Sequence, residues 1–316
     1  MTVDVVTVGG CTVDIVYAAD GSTPGRQLGG NAIYAAAGAR VWGLRPGVVA
    51  LRGTGIPDGW EGTLAFLEID TDGMVPVDVP ASVTEFFYDR DGERTQRVWT
   101  GAGSGAVVPH LPADTGEPIR RLRLAPDHIP PHYMQARGAH LAPTHGDAQR
   151  ALVAALSSLS VLTLDPYPYI MAEWTESDLK ALLDPLTAFL PSRDEVHARF
   201  PDLTPEAALD RLAPHARVAT AIKMGQRGAL VYDRVLGKRD AVPALPVQVK
   251  DPTGAGDAFC GGFLAGLLEG RSALSAAACG VVSASFAVED FGLSGMRRAT
   301  PAERDRRARW VLEQVQ

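Results

Sequence analysis

The chain has 316 residues, of which 46% are hydrophobic and 21% charged, a composition typical of a globular protein that buries a large core without disulfide bonds. Its formal net charge of −7 and its lack of any lysine- or arginine-rich stripe argue against nucleic acid as a partner. No apolar run is long enough to span a membrane, the N-terminus does not read as a signal peptide, and the three cysteines form no C-x-x-C pair. We therefore expect a cytoplasmic protein without membrane association.

The first part of the chain alternates apolar runs with helical segments. VDVVTVGG (3–10), VVALRG (48–53) and GMVPVDV (73–79) predict strands because they are short and rich in β-branched residues. The alanine-rich stretch 31–42 and the residues after IPDGW (56–60) predict helices.

Two segments of this first part follow a different pattern. Residues 12–28 alternate polar and apolar side chains and predict a half-exposed pair of strands. Residues 84–99 hold two alternating runs on either side of Asp91-Gly92, which is a strong hairpin signal. We expect both segments to form a small accessory sheet. Its aromatic residues either close over a substrate, pack the hairpin or form a dimer contact, and the sequence does not choose; they are Phe86, Phe87, Tyr88 and Trp99.

The second part of the chain continues the alternation after a patternless stretch, 101–137, in which consecutive prolines exclude a helix. Predicted strands lie at 138–143, 160–166, 186–191, 218–225, 228–233 and 244–249. Predicted helices lie at 147–157, 176–184, 193–200, 204–212, 254–269, 272–289 and 301–315. Strands alternating with helices predict one α/β domain over 1–316, with an open, mostly parallel sheet that helices cover on both faces. Histidines 128, 132, 140 and 145 are expected at the surface or in loops rather than on a metal.

The stretch DPTGAGDAFCGG (251–262) joins a glycine-rich turn to the start of a helix. Glycines let backbone N–H groups converge on one point, and the helix dipole favours an anion there. A phosphate site alone gains nothing from Asp257, whereas phosphoryl transfer needs both amides and a carboxylate that accepts the proton of the attacking hydroxyl. We expect the helix N-terminus to lower the pKa of Asp257. The alternative is a tight turn in which Asp257 only stabilises the helix dipole.

The sequence resembles the PfkB/ribokinase family of carbohydrate kinases. DPTGAGDAFCGGFLAG is similar to the C-terminal signature of that family, and LGGNAIYAAAGARVWG (28–43) is similar to its N-terminal signature. The resemblance extends over nearly the whole chain. It implies a Rossmann-like sheet between helices, with a β-sheet lid formed by about 12–28 and 84–99. It also implies ATP- and Mg²⁺-dependent transfer of the γ-phosphoryl group to a hydroxyl of a sugar or related small polyol, in a monomer or homodimer.

The resemblance also implies roles for particular residues. Asp257 matches the catalytic base, and the anion hole matches Gly254, Ala255 and Gly256. Substrate binding is implied for Asp14, Gly29, Gly30 and Asn31. Nucleotide binding is implied for Lys223, Gly225, Gly228 and Thr253. Glu195 matches an acidic residue that organises Mg²⁺ through water, and Asp251 matches a monovalent-cation site, occupied by K⁺ in some members.

Several of these residues have plainer interpretations. Asp14 fits an exposed turn, Asn31 fits a helix N-cap, and Lys223 fits a strand-end lysine that faces solvent. The sequence also departs from the family pattern, since Ser192 replaces the asparagine of an N-x-x-E motif and Tyr34 stands where asparagine is common.

Two other classes of nucleotide-binding enzyme would carry sequence motifs that this chain lacks. A P-loop kinase is excluded because no G-x-x-x-x-G-K-[ST] occurs, and a dinucleotide-dependent oxidoreductase lacks G-x-G-x-x-G after the first strand. A nucleoside or inositol kinase of the same family stays open. A non-catalytic sugar or nucleotide sensor on the same fold is expected to have lost Asp257, which is present here.

Overall fold

The computed structural model describes residues 2–89, 94–99, 106–107 and 123–315. We number the strands in chain order as β1 Val5–Val8, β2 Thr12–Tyr17, β3 Arg26–Gly29, β4 Pro46–Thr54, β5 Asp70–Pro80, β6 Val83–Tyr88, β7 Arg94–Trp99, β8 Ala106–Val107, β9 Gly138–Leu141, β10 Val161–Leu164, β11 Ala188–Phe189, β12 Ala219–Lys223, β13 Ala229–Asp233 and β14 Lys238–Val242. The helices are α1 Asn31–Arg40, α2 Trp60–Phe66, α3 Gly146–Leu156, α4 Pro168–Glu173, α5 Glu176–Leu183, α6 Arg193–Arg199, α7 Pro205–Leu212, α8 Ala255–Leu268, α9 Ala273–Ala287, α10 Ser294–Arg297 and α11 Pro301–Glu313.

A nine-stranded sheet forms the centre of the molecule, in the order β14-β13-β12-β11-β10-β9-β1-β4-β5. Its pairings are parallel from β12 to β5 and antiparallel for β12–β13 and β13–β14. Buried apolar side chains form one cluster with α1, α8 and α9 and another with α3, α5, α6 and α7. The predicted α/β class, a mostly parallel sheet covered on both faces, is therefore confirmed.

Helices α1 and α8 pack with their backbones in close contact because glycine and alanine line their shared face. A Cβ atom on Gly38 would overlap the backbone of Ala258, and one on Gly261 would overlap the backbone of Ala35. The N-terminal ends of both helices lie at the edge of the sheet where β1 and β9 end, since the Asn31 side chain bonds to Gly10 and Pro143 and the Tyr34 ring lies against Gly254.

A second sheet, which we call the small sheet, has the order β3-β2-β6-β7-β8. The predicted hairpin is confirmed by the antiparallel pairing of β6 with β7, although its turn, Asp91-Gly92, lies outside the described residues. The predicted pair of strands within 12–28 is present as β2 and β3, which are antiparallel, and β2 joins β6 in parallel. The pleat of the paired strands places one set of side chains on the same face, namely Asp14, Thr84, Phe86, Tyr88 and Arg94.

Three expectations about local structure are wrong. Residues 244–249 form no strand, because Pro243 and Pro246 remove two N–H donors, and the strand that pairs there is β14. The stretch 101–137 contains short 3₁₀ turns at Pro126–His128 and Pro131–Gln135, since proline is compatible with a first helical turn. His140 is fully buried on β9, where its Nδ1 lies 3.0 Å from the hydroxyl of Thr163.

Among the described residues, no helix has the length and hydrophobicity that a membrane crossing requires.

Candidate active site

The predicted anion hole lies at the N-terminus of α8, where Gly254 is the N-cap residue. Gly254 has φ 74, a left-handed conformation that favours glycine, and a Cβ atom there would overlap the Tyr34 ring. The N–H of Ala255 makes a long bond of 3.3 Å to the carbonyl of Pro252. Within the described residues, the N–H groups of Gly254 and Gly256 donate no hydrogen bond. Two donors at a helix N-terminus are thus free to bind an anion.

Asp257 lies in the first turn of the same helix and is half-buried. Burial raises the pKa of Asp257 to about 6, and the nearby charges of Lys223 and Arg94 only partly offset this effect. The expectation that the helix N-terminus lowers the pKa of Asp257 is therefore wrong, because loss of hydration outweighs the dipole. A carboxylate with this pKa is a stronger base near neutral pH than an ordinary aspartate.

Asp14, on β2, is 4% exposed and accepts a hydrogen bond of 2.9 Å from the Thr12 hydroxyl. Burial raises the pKa of Asp14 to about 7, and the negative charges of Asp251 and Asp257 add to the increase. Asp14 is therefore no exposed turn residue. A buried carboxylate with a single hydrogen bond to a side chain keeps acceptor capacity for a ligand hydroxyl.

The turn Gly29-Gly30-Asn31 lies directly beside Asp14. A Cβ atom on Gly29 would overlap the Asp14 carboxylate, and Gly30 has φ 117 with no room for a Cβ against Gly10. Asn31 is not an N-cap. It begins α1, its Oδ1 accepts from the N–H of Gly10 at 2.7 Å, and its Nδ2 donates to the carbonyl of Pro143 at 2.9 Å. Both glycines are thus required by close packing, and the Asn31 amide ties three chain segments together.

Asp251 and Thr253 shape the loop that precedes α8. The Asp251 carboxylate is buried and accepts from the N–H groups of Thr253, at 2.9 Å, and Gly292, at 3.2 Å. The Thr253 hydroxyl lies 2.9 Å from the hydroxyl of Tyr88, which belongs to the small sheet. This bond shows that the face of the small sheet bearing Asp14 and Tyr88 is turned toward the start of α8.

Lys223, at the end of β12, does not face solvent. Its ammonium group forms an ion pair with Asp165 and lies 3.7 Å from the Cys260 sulfur. Gly225 and Gly228 follow in the turn to β13, with φ 59 and φ 85, so this turn does require glycine. Gly225 is exposed with open space around it, whereas a Cβ on Gly228 would overlap the backbone at Val242.

Glu195 and Ser192 form a capping box at the start of α6. The Glu195 carboxylate accepts from the N–H of Ser192, and the Ser192 hydroxyl accepts from the N–H of Glu195 at 3.4 Å. Ser192, which replaces the asparagine of the N-x-x-E motif, therefore serves as the N-cap of α6. Glu195 still adds negative charge near Asp257 and Asp165.

The residues here fit an ATP·Mg²⁺ complex. Free N–H groups and a lysine ammonium are donors for phosphate oxygens, and Mg²⁺ in such sites keeps water and phosphate ligands with only one or two carboxylates. Among the described residues, a group of three metal-ligating side chains occurs only at Asp70, Asp72 and His132. That group is on and near β5, so within the described part of the chain the carboxylates near Lys223 belong to no group of three metal-ligating side chains.

Two residues of this site escaped sequence reasoning. Arg94 lies opposite Tyr88 on the small sheet and forms a hydrogen bond with it. Its positive charge lowers the pKa of both Asp14 and Asp257, partly offsetting the effect of burial. Asp165 follows β10 directly. Its position at the carboxyl end of a predicted parallel strand was a usable signal, because such ends converge where ligands bind in α/β sheets.

The fold and this arrangement define a kinase of the ribokinase-like class. The family described as pfkB family carbohydrate kinase matches residues 3–299, and the chain belongs to that family. ATP with Mg²⁺ is typical of its members.

Relatives with known names are similar over most or part of the chain. A cytidine kinase of Thermococcus kodakarensis is 27% identical over 270 residues, 85% of this chain and 90% of that protein. A ribokinase of Bacillus subtilis is 34% identical over 113 residues, 36% of each chain. The nucleoside kinase structure from Methanocaldococcus jannaschii has a TM-score of 0.72 at 18% identity and covers 98% of this chain and 99% of its own. An E. coli protein of the same fold, solved with ATP and Mg²⁺, has a TM-score of 0.70 at 20% identity and covers 98% of this chain and 100% of its own.

Proposed function

We propose that this kinase transfers the γ-phosphoryl group of ATP to a hydroxyl of a sugar or related small polyol, with Asp257 as the general base. The observation that carries the proposal is the position of Asp257. It is half-buried in the first turn of α8, beside the free N–H groups of Gly254 and Gly256, with its pKa raised to about 6.

The acceptor side of the reaction is supplied by Asp14 and the turn beside it. The Asp14 carboxylate accepts a hydrogen bond from one acceptor hydroxyl and so orients the molecule. Asp257 takes the proton of the attacking hydroxyl while that oxygen forms its new bond to phosphorus and the bond from phosphorus to the ADP oxygen breaks. General-base help of this kind contributes about 10²–10⁴-fold to the rate.

The phosphate side is supplied by positive groups on three elements. The N–H groups of Gly254 and Gly256 donate to oxygens of the migrating group, and the cationic side chains of Lys223 and Arg94 balance its charge. Mg²⁺ bound with ATP would neutralise phosphate charge, and Glu195 would help to hold the metal through water. Thr253, Gly225 and Gly228 border the nucleotide. Binding of K⁺ near Asp251 stays a prediction.

The small sheet is proposed to act as a lid over the acceptor. Its strands β2, β6 and β7 present Asp14, Tyr88 and Arg94 on one face, and the bond between Tyr88 and Thr253 closes that face against α8. A closed lid keeps water from the phosphoryl group and limits wasteful hydrolysis.

A nucleoside is the second candidate acceptor. The relative that matches over 85% of this chain is a cytidine kinase, and the lid presents a buried aromatic ring, Phe86, on the same face as Asp14. The Arg94 guanidinium lies over this ring at 5.4 Å, so a base would stack on the Arg94–Phe86 pair rather than on a bare ring.

The test is a coupled ADP-release assay with ATP·Mg²⁺ against sugars, nucleosides and cyclitols, with and without K⁺. Asp257→Asn is expected to retain ATP binding, measured by calorimetry, and to lose about 10²–10⁴-fold in kcat. Near-normal turnover in this variant contradicts the role of Asp257. If the unaltered protein binds ATP and an acceptor yet turns over neither sugars, nucleosides nor cyclitols, the sensor function replaces the kinase.

A further inference from the structure

A buried ion pair lies beneath the first turns of α8. Lys223 ends β12, Asp165 follows β10, and the side chains are 11% and 4% exposed. Because β11 separates their strands in the sheet, the pair spans two strand positions. Cys260, one turn into α8, packs against both partners, with its sulfur 3.7 Å from the Lys223 nitrogen and 3.9 Å from an Asp165 oxygen.

The pair is poorly explained as a device for stability. Removing two charges from water costs several kcal/mol per ion, and a buried pair recovers this only when its remaining polar atoms are also satisfied. Here Oδ1 of Asp165 is buried without a hydrogen-bond partner in the part of the chain that the structure describes. Two apolar side chains of similar size would leave no buried polar atom without a hydrogen bond here. The presence of charges therefore points to a role other than stabilising the fold.

The position of the ammonium group indicates what that role is. A Cβ placed on Gly256 would lie 3.8 Å from the Lys223 nitrogen, so the ammonium borders the turn that carries the free N–H groups. Lys223 is also the charge that most lowers the pKa of Asp257. The other charged or titratable groups that face Asp257 from neighbouring elements are Arg94, Glu195, Asp14, Asp165, Tyr34, Tyr167 and Cys260.

We propose that Asp165 is a positioning residue, which holds the Lys223 ammonium charged and fixed at the first turn of α8, between Asp257 and the phosphates of ATP. This inference rests on the proposed kinase function. The charge of Asp165 raises the pKa of Lys223, opposing the burial that lowers it. Without the carboxylate, a buried lysine loses its proton more easily and no longer supplies a fixed positive charge.

The test compares Asp165→Asn, Lys223→Met and the double variant. Each single variant is expected to lose about 10- to 100-fold in kcat/KM, and calorimetry is expected to show weaker ATP binding. The double variant is expected to lose no more kcat/KM than Lys223→Met alone, because both substitutions remove the same charge at α8. In Asp165→Asn, kcat/KM is also expected to fall at alkaline pH, because Lys223 now loses its proton within the assay range. Lys223→Met removes a positive charge that lowers the pKa of Asp257. The acid limb of the pH profile of kcat/KM is therefore expected to shift to higher pH in this variant.

The control is Asp210→Asn, which removes an exposed carboxylate paired with Arg239 at 2.9 Å and is expected to leave activity and the pH profile unchanged. Fully additive losses, or an Asp165→Asn profile without an alkaline decline, overturn the inference while the kinase function stands. Should Asp165→Asn fail to fold, Lys223→Arg is compared with Lys223→Met instead. If a fixed positive charge is what matters, Lys223→Arg binds ATP more tightly than Lys223→Met; equal losses of ATP affinity in the two variants refute the inference. If the unaltered protein shows no turnover, the kinase function fails, and ATP affinity still reports on the pair.

Discussion

Asp14→Asn is expected to make the protein more stable at alkaline pH while weakening acceptor binding. In the folded protein the pKa of Asp14 is about 7, against an ordinary value of 3.8. A raised pKa means that the folded state holds a proton more tightly than the unfolded chain does. The stability linked to that proton is fully present below about pH 4 and is lost as pH rises through 7. At pH 8, where Asp14 is ionised in both states, its burial therefore costs about 4 kcal/mol; at pH 5, where the folded protein keeps the proton that the unfolded chain has lost, the cost is about 2 kcal/mol.

Asparagine has nearly the same shape and still accepts from Thr12, so the substitution removes the charge and little else. For a chain of this length, about 4 kcal/mol corresponds to an increase in Tm of about 6 °C at pH 8, with about half that gain at pH 5. The assay is urea and thermal unfolding of both proteins at the two pH values, beside KM for the acceptor. A variant that is less stable at pH 8, or whose gain does not shrink at pH 5, would show that the buried charge of Asp14 is not what destabilises the folded protein at alkaline pH.

Three further outcomes are expected. As pH falls below about 6, kcat/KM should fall at least about tenfold for each pH unit, because Asp257, with a pKa of about 6, takes up a proton and Asp14, with a pKa of about 7, is already protonated; activity held down to pH 4 would argue that another group is the base. Gly254→Ala should lower kcat/KM at least about tenfold, because its Cβ overlaps the Tyr34 ring at a left-handed φ, whereas Gly62→Ala, with open space around it, should not. Tyr34 is 2% exposed, and its hydroxyl makes no hydrogen bond to a described residue while facing Asp14 and Asp257. Tyr34→Phe should therefore raise the acceptor KM by about 2- to 10-fold with unchanged Tm, and an unaltered KM would exclude Tyr34 from acceptor binding.

Features that depend on local sequence could be predicted. The start of α8, with Gly254 before it and Asp257 in its first turn, follows from glycine chemistry and the apolar run behind it. The hairpin of β6 and β7 follows from alternation on either side of Asp91-Gly92. Both signals lie within a few residues, so tertiary contacts had little opportunity to override them.

Features that depend on burial could not be predicted. The pKa of Asp257 rises because distant segments remove its water, and Lys223 turns inward because Asp165 lies two strand positions away. Residues 244–249 have the composition of a strand, yet the edge that they would join is already filled by β14. None of these outcomes is encoded in a short window of sequence.

The close packing of α1 against α8 has a consequence for how the enzyme can move. The turn that ends in Asn31 and the turn that ends in Asp257 open two helices whose backbones touch at Gly38 and Gly261. Because a shift between these helices would separate closely packed backbones, we expect the two turns to move together and to keep nearly the same separation. Asp14 packs directly against Gly29 and so belongs with the first of these turns, whereas Arg94 lies on β7, further along the small sheet. We therefore expect Arg94, rather than Asp14, to change position for acceptors of different size.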